Sequence, residues 1–477
     1  MPASSVRLRY LGRTAVASLI VAMAAALAIG GQAGATSTTP PGSPPVATDP
    51  RPNVVVILTD DQRRDSMRYM PQVQRLLVQQ GTRYTQAMVP TSLCCPSRAT
   101  ILTGRYAHTT RVFGNGDIGG ARHGGWRRFF GTGSESRTIA VTLKRAGYST
   151  AMVGKYLNYF GKHAPAGYVP PGWDTFSTFM SNHGRYYDYL LNDGTFHGHA
   201  PEDYSTDVMA SKAVDFVRAA PPSQPLFLFF APYGPHSPYT PAPRHDGAMG
   251  GLLPDYTAPT LDQPLRTMPE WMRSRVHVTK SEADWTRQKQ HEALLSVDEA
   301  VAGIHDALVA TGRDRNTLYL FLSDNGYFWG EHKIIGKDTP YKDSTYIPMV
   351  ARWDGHVPAG ATDSRIALNV DLARTIAKAA GTSMSTDGLN LFGPARRKGV
   401  VLEAMEGYHS RPAYCGWRTK SRMFVQWATG ERELFDYRLD PDEERNLAYR
   451  RAWRDVRQSM RRQAVEACSP EPPKFSW

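Results

Sequence analysis

The sequence predicts an α/β fold, a mostly parallel sheet with helices on both faces, and three observations carry that expectation. Five short apolar runs, at 54–58, 150–153, 226–230, 318–322 and 347–350, are continuous rather than alternating, as parallel strands buried on both faces are. Helix-like patterns lie between them, so strand and helix alternate along the chain. The composition, 41% hydrophobic, 21% charged and 10% aromatic over 477 residues, is that of an ordinary globular protein. It excludes collagenous, disordered and multi-span membrane classes.

In chain order, residues 1–35 read as a signal peptide. Arg7, Arg9 and Arg13 form a positive start, an apolar run follows from Ala15 to Gly30, and Ala33-Gly34-Ala35 supplies small residues for cleavage. The run is short for a bilayer span, although a retained anchor is the alternative. Residues 36–52 are rich in Ser, Thr and Pro and read as a disordered leader. No later run reaches the length of a transmembrane helix. The expectation is a secreted protein with no stable membrane insertion after signal removal.

Residues 53–394 carry the α/β pattern. The stretch 138–146 is helix-like and stopped by Gly147, and 291–311 places Leu294, Leu295, Val301, Ile304 and Leu308 on one stripe before Gly312. Between about 231 and 280 the chain is rich in Pro and poor in periodicity, the mark of a long loop excursion that shapes a site. From 395 to 477 the texture changes. Two short antiparallel strands, 422–427 and 431–437, flank Thr429-Gly430, and a basic helix spans about 452–468, giving a small α+β C-terminal domain.

Four cysteines occur. Cys415 and Cys468 both lie in the C-terminal portion, where an oxidising compartment would favour a disulfide. Cys94 and Cys95 are neighbours, and a bond between them would close a strained ring. Lys and Arg number 56 against 44 Asp and Glu, a formal +12, of which residues 1–35 supply three charges. The surplus favours anionic partners, but no nucleic-acid motif accompanies it.

The chemistry collects where strands end. The first run is followed by Asp60-Asp61, the second by Gly154-Lys155, the third by Pro235-His236 and the fourth by Ser323-Asp324-Asn325-Gly326. Ligands of open α/β sheets bind beyond the carboxyl ends of the strands, so four strands deliver these groups to one edge. Each has a blander reading: a helix cap for Asp60-Asp61, a turn for Asp324-Asn325-Gly326, a surface lysine for Lys155, a turn histidine for His236. Taken together, Asp60, Asp61, Asp324 and Asn325 offer hard oxygen ligands suited to Ca²⁺ or Mg²⁺ rather than zinc.

The segment Cys94-Cys95-Pro96-Ser97-Arg98-Ala99-Thr100-Ile101-Leu102-Thr103-Gly104 resembles the signature of the sulfatase family, Cys-x-Pro-Ser-Arg-x-x-x-Leu-Thr-Gly, and matches all seven fixed positions. Glu433-Leu434-Phe435-Asp436 with Asp440-Pro441 looks like the family's C-terminal motif. The resemblance implies an alkaline-phosphatase-like fold, a large mixed sheet flanked by helices plus a smaller C-terminal domain. It implies that Cys94 is oxidised to formylglycine (3-oxoalanine) by a formylglycine-generating enzyme. It further implies that Asp60, Asp61, Asp324, Asn325 and residue 94 hold a calcium-type ion, with Mg²⁺ as the alternative. Arg98 would hold the hydrated aldehyde, Lys155 and Lys337 would bind sulfate, and His236 would be the general acid at the leaving oxygen. Two geminal hydroxyls at residue 94 explain the modification: one attacks sulfur, and the other then expels sulfate and restores the aldehyde, an exit that serine lacks.

Gly154-Lys155-Tyr156-Leu157-Asn158 departs from the commoner Gly-Lys-Trp-His-Leu, so Leu157 stands at the position of the usual elimination histidine. That pentapeptide is similar to the N-acetylglucosamine-6-sulfatase and endosulfatase branch, as are Ser323-Asp324-Asn325-Gly326-Tyr327 and Leu294-Leu295-Ser296-Val297-Asp298. His332 is the substitute the sequence offers for the elimination base. Lys342 and Tyr346 stand where relatives often carry Glu and Arg.

The expected function is hydrolysis of a sulfate ester, on a sulfated sugar such as N-acetylglucosamine-6-sulfate or on an aryl sulfate. A phosphonate or phosphate ester hydrolase of the same fold is the first alternative, because both substrates are tetrahedral oxyanions. A non-catalytic binder of acidic polysaccharide is the second. Tyr168, Trp173, Tyr186 and Tyr187 are offered either as a sugar-stacking wall or as core, with core favoured for Trp173.

Overall fold

The apolar runs become the centre of an eight-stranded sheet. The structure, a computed structural model, describes residues 49–477 except 117–122, 182–183, 274, 276 and 408–409. The expected signal peptide and most of the leader, residues 36–48, therefore lie outside the described residues. The strands are β1 (Asn53–Thr59), β2 (Thr82–Met88), β3 (Ser149–Gly154), β4 (Thr175–Thr178), β5 (Leu226–Ala231), β6 (Thr317–Ser323), β7 (Met349–Arg352) and β8 (Ala361–Leu368). Their order across the sheet is β8-β2-β7-β6-β1-β5-β3-β4. Every neighbouring pair is parallel except the two made by β7.

Strand β1 shows why its sequence does not alternate. Val54, Val56 and Leu58 enter a core with α1 (Cys94–Thr103), α2 (Ile139–Arg145) and α5 (Asp371–Ala379). Val55 and Ile57 point the other way, into a core with α3 (Ser205–Ala219) and α4 (Lys280–Ala310). All five are fully buried, worth roughly 1.5–3 kcal/mol each.

Two expectations need correction, and three strands were not foreseen. The run 347–350 was expected among the parallel strands, but β7 spans Met349–Arg352 and runs antiparallel to both β6 and β2. The segment between β6 and β7 stays at the carboxyl edge, without a crossover helix of the length that parallel strands need, so the chain re-enters from that edge. Helix α4 begins at Lys280 rather than His291, because Thr279 and Glu282 form a reciprocal capping box. Strands β2, β4 and β8 carry too many polar residues for a continuous apolar run, and pairing within the sheet makes them strands.

Among the described residues, the excursion after β5 holds only short helical turns before α4. The C-terminal portion forms a second, antiparallel sheet of four strands in chain order, β9 (Val400–Ala404), β10 (Tyr414–Arg418), β11 (Arg422–Trp427) and β12 (Arg432–Asp436). Helix α6 (Arg454–Ala467) packs on it through Met460 and Ala464 against Phe424 and Leu434. Cys415 and Cys468 form a disulfide with Cα atoms 6.2 Å apart. The other sheet face shares a core with Met88, Phe328, Tyr341 and Leu368. Among the described residues no helix is long and apolar enough to cross a membrane.

Candidate active site

Five elements converge at the carboxyl edge. Strand β1 hands over to Asp60 and Asp61, β6 to Asp324 and Asn325, β3 to Lys155, and β5 leads to His236. The fifth, β2, was not expected as a strand; it leads to Cys94, the first residue of α1. Leu93 precedes it in extended conformation without a capping side chain, and the Cys95 amide instead donates to Asn115 Oδ1 at 2.9 Å. Position 94 thus sits in the first turn, where unpaired amides favour negative charge. Arg98 follows one turn later on the same face. Gly154 has φ +115°, and a Cβ there would lie 2.0 Å from the Ala231 carbonyl oxygen. Glycine at this position lets the Lys155 amide donate to that oxygen at 2.8 Å.

Asp60, Cys94, Arg98, Lys155, Asp324 and Asn325 are all buried to within 1%. Arg98 is the organiser: Nε donates to Asp324 Oδ2 at 2.8 Å, Nη1 to the Lys155 carbonyl at 2.6 Å, and Nη2 lies 3.2 Å from Asp60 Oδ2. Lys155 Nζ pairs with Asp60. Lys337 Nζ pairs with Asp61 and lies 3.1 Å from Cys94 Sγ. Asp61 takes φ +67°, a left-handed conformation costly for a residue other than glycine. It is held there by its amide on Asp324 Oδ1 at 3.2 Å and by Asn325 Nδ2 on Oδ1 at 2.7 Å.

His236 enters from a turn in which Tyr233 and Tyr186 fix it. Its Nδ1 lies 2.7 Å from the Ser237 carbonyl and 2.8 Å from the Tyr233 hydroxyl, and Tyr186 donates to its backbone carbonyl at 2.8 Å. A carbonyl only accepts, so Nδ1 carries a hydrogen and Nε2 becomes the proton-exchanging atom. Nε2 faces Asp61 Oδ2 at 3.6 Å.

Burial and charge set the protonation states. Burial pushes the Cys94 thiol up to about 12, against the pull of Lys155 and Lys337, so the unmodified residue is a neutral thiol and a poor nucleophile. Burial works against ionisation of Asp60, but Lys155, His236 and Arg98 outweigh it and hold the carboxyl well below its usual range. Asp324 is pushed up to about 6 by burial and by Asp60. Burial lowers the His236 imidazole to about 4, with Asp61 and Asp60 opposing; a bound anion would raise it again.

The donor set fits a hard divalent cation. One ligand atom each from Asp60, Asp61, Cys94 and His236 lie within 4.8 Å of one another. Asn325 Oδ1 is buried with no hydrogen-bond partner, an orphaned acceptor that costs free energy unless an ion or water takes it up. Asp324 stands beside this group, with its two oxygens committed to the Asp61 amide and to Arg98.

Some sequence expectations fall elsewhere. His332 contacts Gln263, Glu443 and Tyr341, none of them in the cluster. Leu157 is buried in the core, and the side-chain oxygen of the adjacent Asn158 is buried without a partner. Trp173 stacks on Phe227 in the core and Tyr186 lies behind His236. Tyr187 alone of the four aromatics lines an outer groove of about 430 Å³ with Tyr239 and Trp285. Residues the sequence reading missed include Asn115, Tyr233 and Gln290, whose Nε2 reaches the Asp61 carbonyl at 3.4 Å. A polar residue one turn before Leu294, on the buried stripe of α4, was the available signal for Gln290.

The model of the sulfatase family matches residues 52–382, and a model described as the C-terminal part of N-sulphoglucosamine sulphohydrolase matches residues 330–469. The chain is 32% identical to human N-acetylglucosamine-6-sulfatase over 360 residues, 72% of this chain and 64% of that protein. It therefore spans less than two-thirds of that relative's length. A solved structure in complex with its substrate D-glucosamine-2-N,6-O-disulfate superposes with a TM-score of 0.74 at 22% identity, covering 88% of this chain and 97% of the other. The phosphonate monoester hydrolase of Agrobacterium radiobacter gives 0.70 at 18% identity, covering 87% and 95%. These likenesses show the alkaline-phosphatase-like fold that the sequence led us to expect. Because the family model spans residues 52–382, more than half of the chain, the chain belongs to the sulfatase family.

Proposed function

We propose that the chain is an exported sulfuric ester hydrolase that cleaves a sulfate ester on a sugar such as N-acetylglucosamine-6-sulfate, or an aryl sulfate. The observation that carries this reading is charge arithmetic around Cys94. Asp60, Asp61 and Asp324 face Arg98, Lys155 and Lys337, three against three. A divalent cation would leave these six groups at +2, and the proton that His236 gives to the leaving oxygen adds one more. That suffices for a monoanionic ester plus the one further negative charge that attack on sulfur requires.

Asp60, Asp61, Asp324, Asn325 and residue 94 would hold Ca²⁺ or Mg²⁺, which, when bound, neutralises anionic oxygens and lowers the pKa of a neighbouring hydroxyl. A formylglycine-generating enzyme would convert Cys94, so that geminal hydroxyls replace an inert thiol. Lys155 and Lys337 then bind sulfate oxygens through their ammonium groups. Arg98, anchored on Asp324 and on the Lys155 carbonyl, orients residue 94 one turn away. His236 Nε2 gives its proton to the leaving oxygen, with Nδ1 fixed by the Ser237 carbonyl. A phosphonate monoester is also a monoanion and suits the same arithmetic, which keeps it as the second reading.

The test is twofold: mass analysis of the Cys94 peptide from protein made in its native host, and rates on nitrophenyl sulfate, nitrophenyl phosphate and a nitrophenyl phosphonate. The expected result is an aldehyde at position 94, with sulfate the preferred substrate and its turnover lost in Cys94→Ala. A free thiol at position 94 together with tight, salt-sensitive polysaccharide binding would replace this reading with that of a non-catalytic binder. Preference for the phosphonate would move it to the second.

A further inference from the structure

A cleft of about 170 Å³ shares Lys337 with the Cys94 cluster and is lined also by Arg275, Asp338 and Arg411. At roughly 30 Å³ per water it has room for an anionic group with some of its hydration. Among the described residues its charges are unbalanced. Lys337 is already paired with Asp61, which leaves two guanidiniums and one carboxylate. Asp338 is committed to Arg411 Nη2, at 3.0 and 3.1 Å from its two oxygens. Arg411 is almost fully buried, and its Nε is left without a partner. The half-buried Arg275 guanidinium makes no hydrogen bond or ion pair with a described residue, and lies only over the Trp271 ring at 5.5 Å. Burial lowers the Arg275 pKa, Asp338 offsets part of this and Arg411 adds to it. The positive charge is thus desolvated without full compensation.

We propose that Arg275 and Arg411 frame a second anion subsite beside Lys337, which receives a further sulfate or carboxylate of the same substrate molecule. The natural substrate is then a multiply anionic saccharide. The inference rests on the sulfate-ester reading for its substrate class. A guanidinium suits both groups because its planar fork donates two parallel hydrogen bonds to adjacent oxygens. An anion there would satisfy Arg275 and offset the surplus charge that the described residues leave unmatched. A simple aryl sulfate would leave the cleft unused.

The experiment is competition against nitrophenyl sulfate turnover by two probes: a heparin tetrasaccharide, which carries sulfates and carboxylates, and a hyaluronan tetrasaccharide, which carries carboxylates only. Arg275→Gln should raise the inhibitory concentration of heparin tetrasaccharide roughly tenfold to a hundredfold, the range for charged hydrogen bonds. Arg315→Gln, an exposed charge just before β6 at the opposite end of the sheet, should leave it within about twofold, since screened surface charges contribute little. A parallel shift for hyaluronan identifies a carboxylate as the second group; a shift for heparin alone identifies a sulfate. The proposal is overturned if neither probe depends on Arg275, or if Arg315→Gln matches Arg275→Gln. Should wild-type protein turn over neither nitrophenyl sulfate nor N-acetylglucosamine-6-sulfate, the parent reading fails. Calorimetric titration of the same tetrasaccharides into wild type and Arg275→Gln then tests the subsite independently.

Discussion

Asn325→Leu probes most directly whether the carboxylate cluster is built for a divalent cation. Two hydrogen bonds disappear with the amide: Nδ2 to Asp61 Oδ1 at 2.7 Å and Nδ2 to the Gly326 carbonyl at 2.9 Å. Their loss costs roughly 2–4 kcal/mol, one bond being to a charged acceptor. Removing the orphaned Oδ1 returns roughly 1–3 kcal/mol of desolvation cost, so metal-free stability should change by only about 1–2 kcal/mol. The effect of metal should change more. An ion at a hundred times its dissociation constant stabilises the fold by about 2.7 kcal/mol. At about 2.1 cal/mol/K per residue over the chain, that is a rise in Tm of about 3 °C for wild type. A tenfold loss of affinity on deleting one oxygen ligand would halve that rise at the same ion concentration. The assay is differential scanning calorimetry of metal-stripped protein titrated with CaCl₂ and, separately, MgCl₂, which also decides between the two ions. An unchanged rise in Asn325→Leu, or no rise in wild type, would refute the assignment.

Three further predictions concern stability. Arg418 is fully buried and donates to Glu443 Oε1 at 2.8 Å and Thr345 Oγ1 at 2.6 Å; Arg418→Met should cost about 3–5 kcal/mol in urea unfolding because it strands a buried carboxylate. Adding Glu443→Gln should recover part of that loss, and equal losses in the single and double variants would contradict the pairing. Burial raises Glu433 to about 7, against hydrogen bonds from Trp427 and Tyr341. The folded state therefore keeps a proton that the unfolded chain releases near 4.5. This contribution, at most about 3 kcal/mol, is complete below pH 4.5 and lost as pH rises towards 7, so Glu433→Gln should flatten the stability profile across that window. Cys415 and Cys468 are 53 residues apart, and replacing both by serine should cost about 4 kcal/mol in denaturant unfolding; an unchanged midpoint would mean that the cross-link constrains little.

The candidate site was largely legible residue by residue. Asp60, Lys155, His236 and Asp324 could be placed at one edge because each follows a buried apolar run, and parallel strands bring their carboxyl ends together. Lys337 and Arg98 follow no such run, and only the resemblance to the family marked them. The strand leading to Cys94 was not legible. Residues 82–88 include Arg83, Thr85 and Gln86, and their strand state depends on partners in β7 and β8 rather than on local pattern. Tyr233 and Asn115 were missed because a hydroxyl or an amide gives no sign in sequence of the atom it will meet.

The sequence by itself determined the chemistry: which residue types are present, the spacing of the Cys94 motif, and the two-faced burial of β1, β5 and β6, because composition and periodicity are properties of the chain. Only the tertiary structure decided the reversed direction of β7, the separation of His332 from the cluster, the orphaned oxygen of Asn325 and the incomplete pairing of Arg275 among the described residues. Each of these depends on what a group faces across hundreds of residues. Pairing, burial and electrostatic balance are sums over spatial neighbours, and those neighbours exist only once the chain has folded.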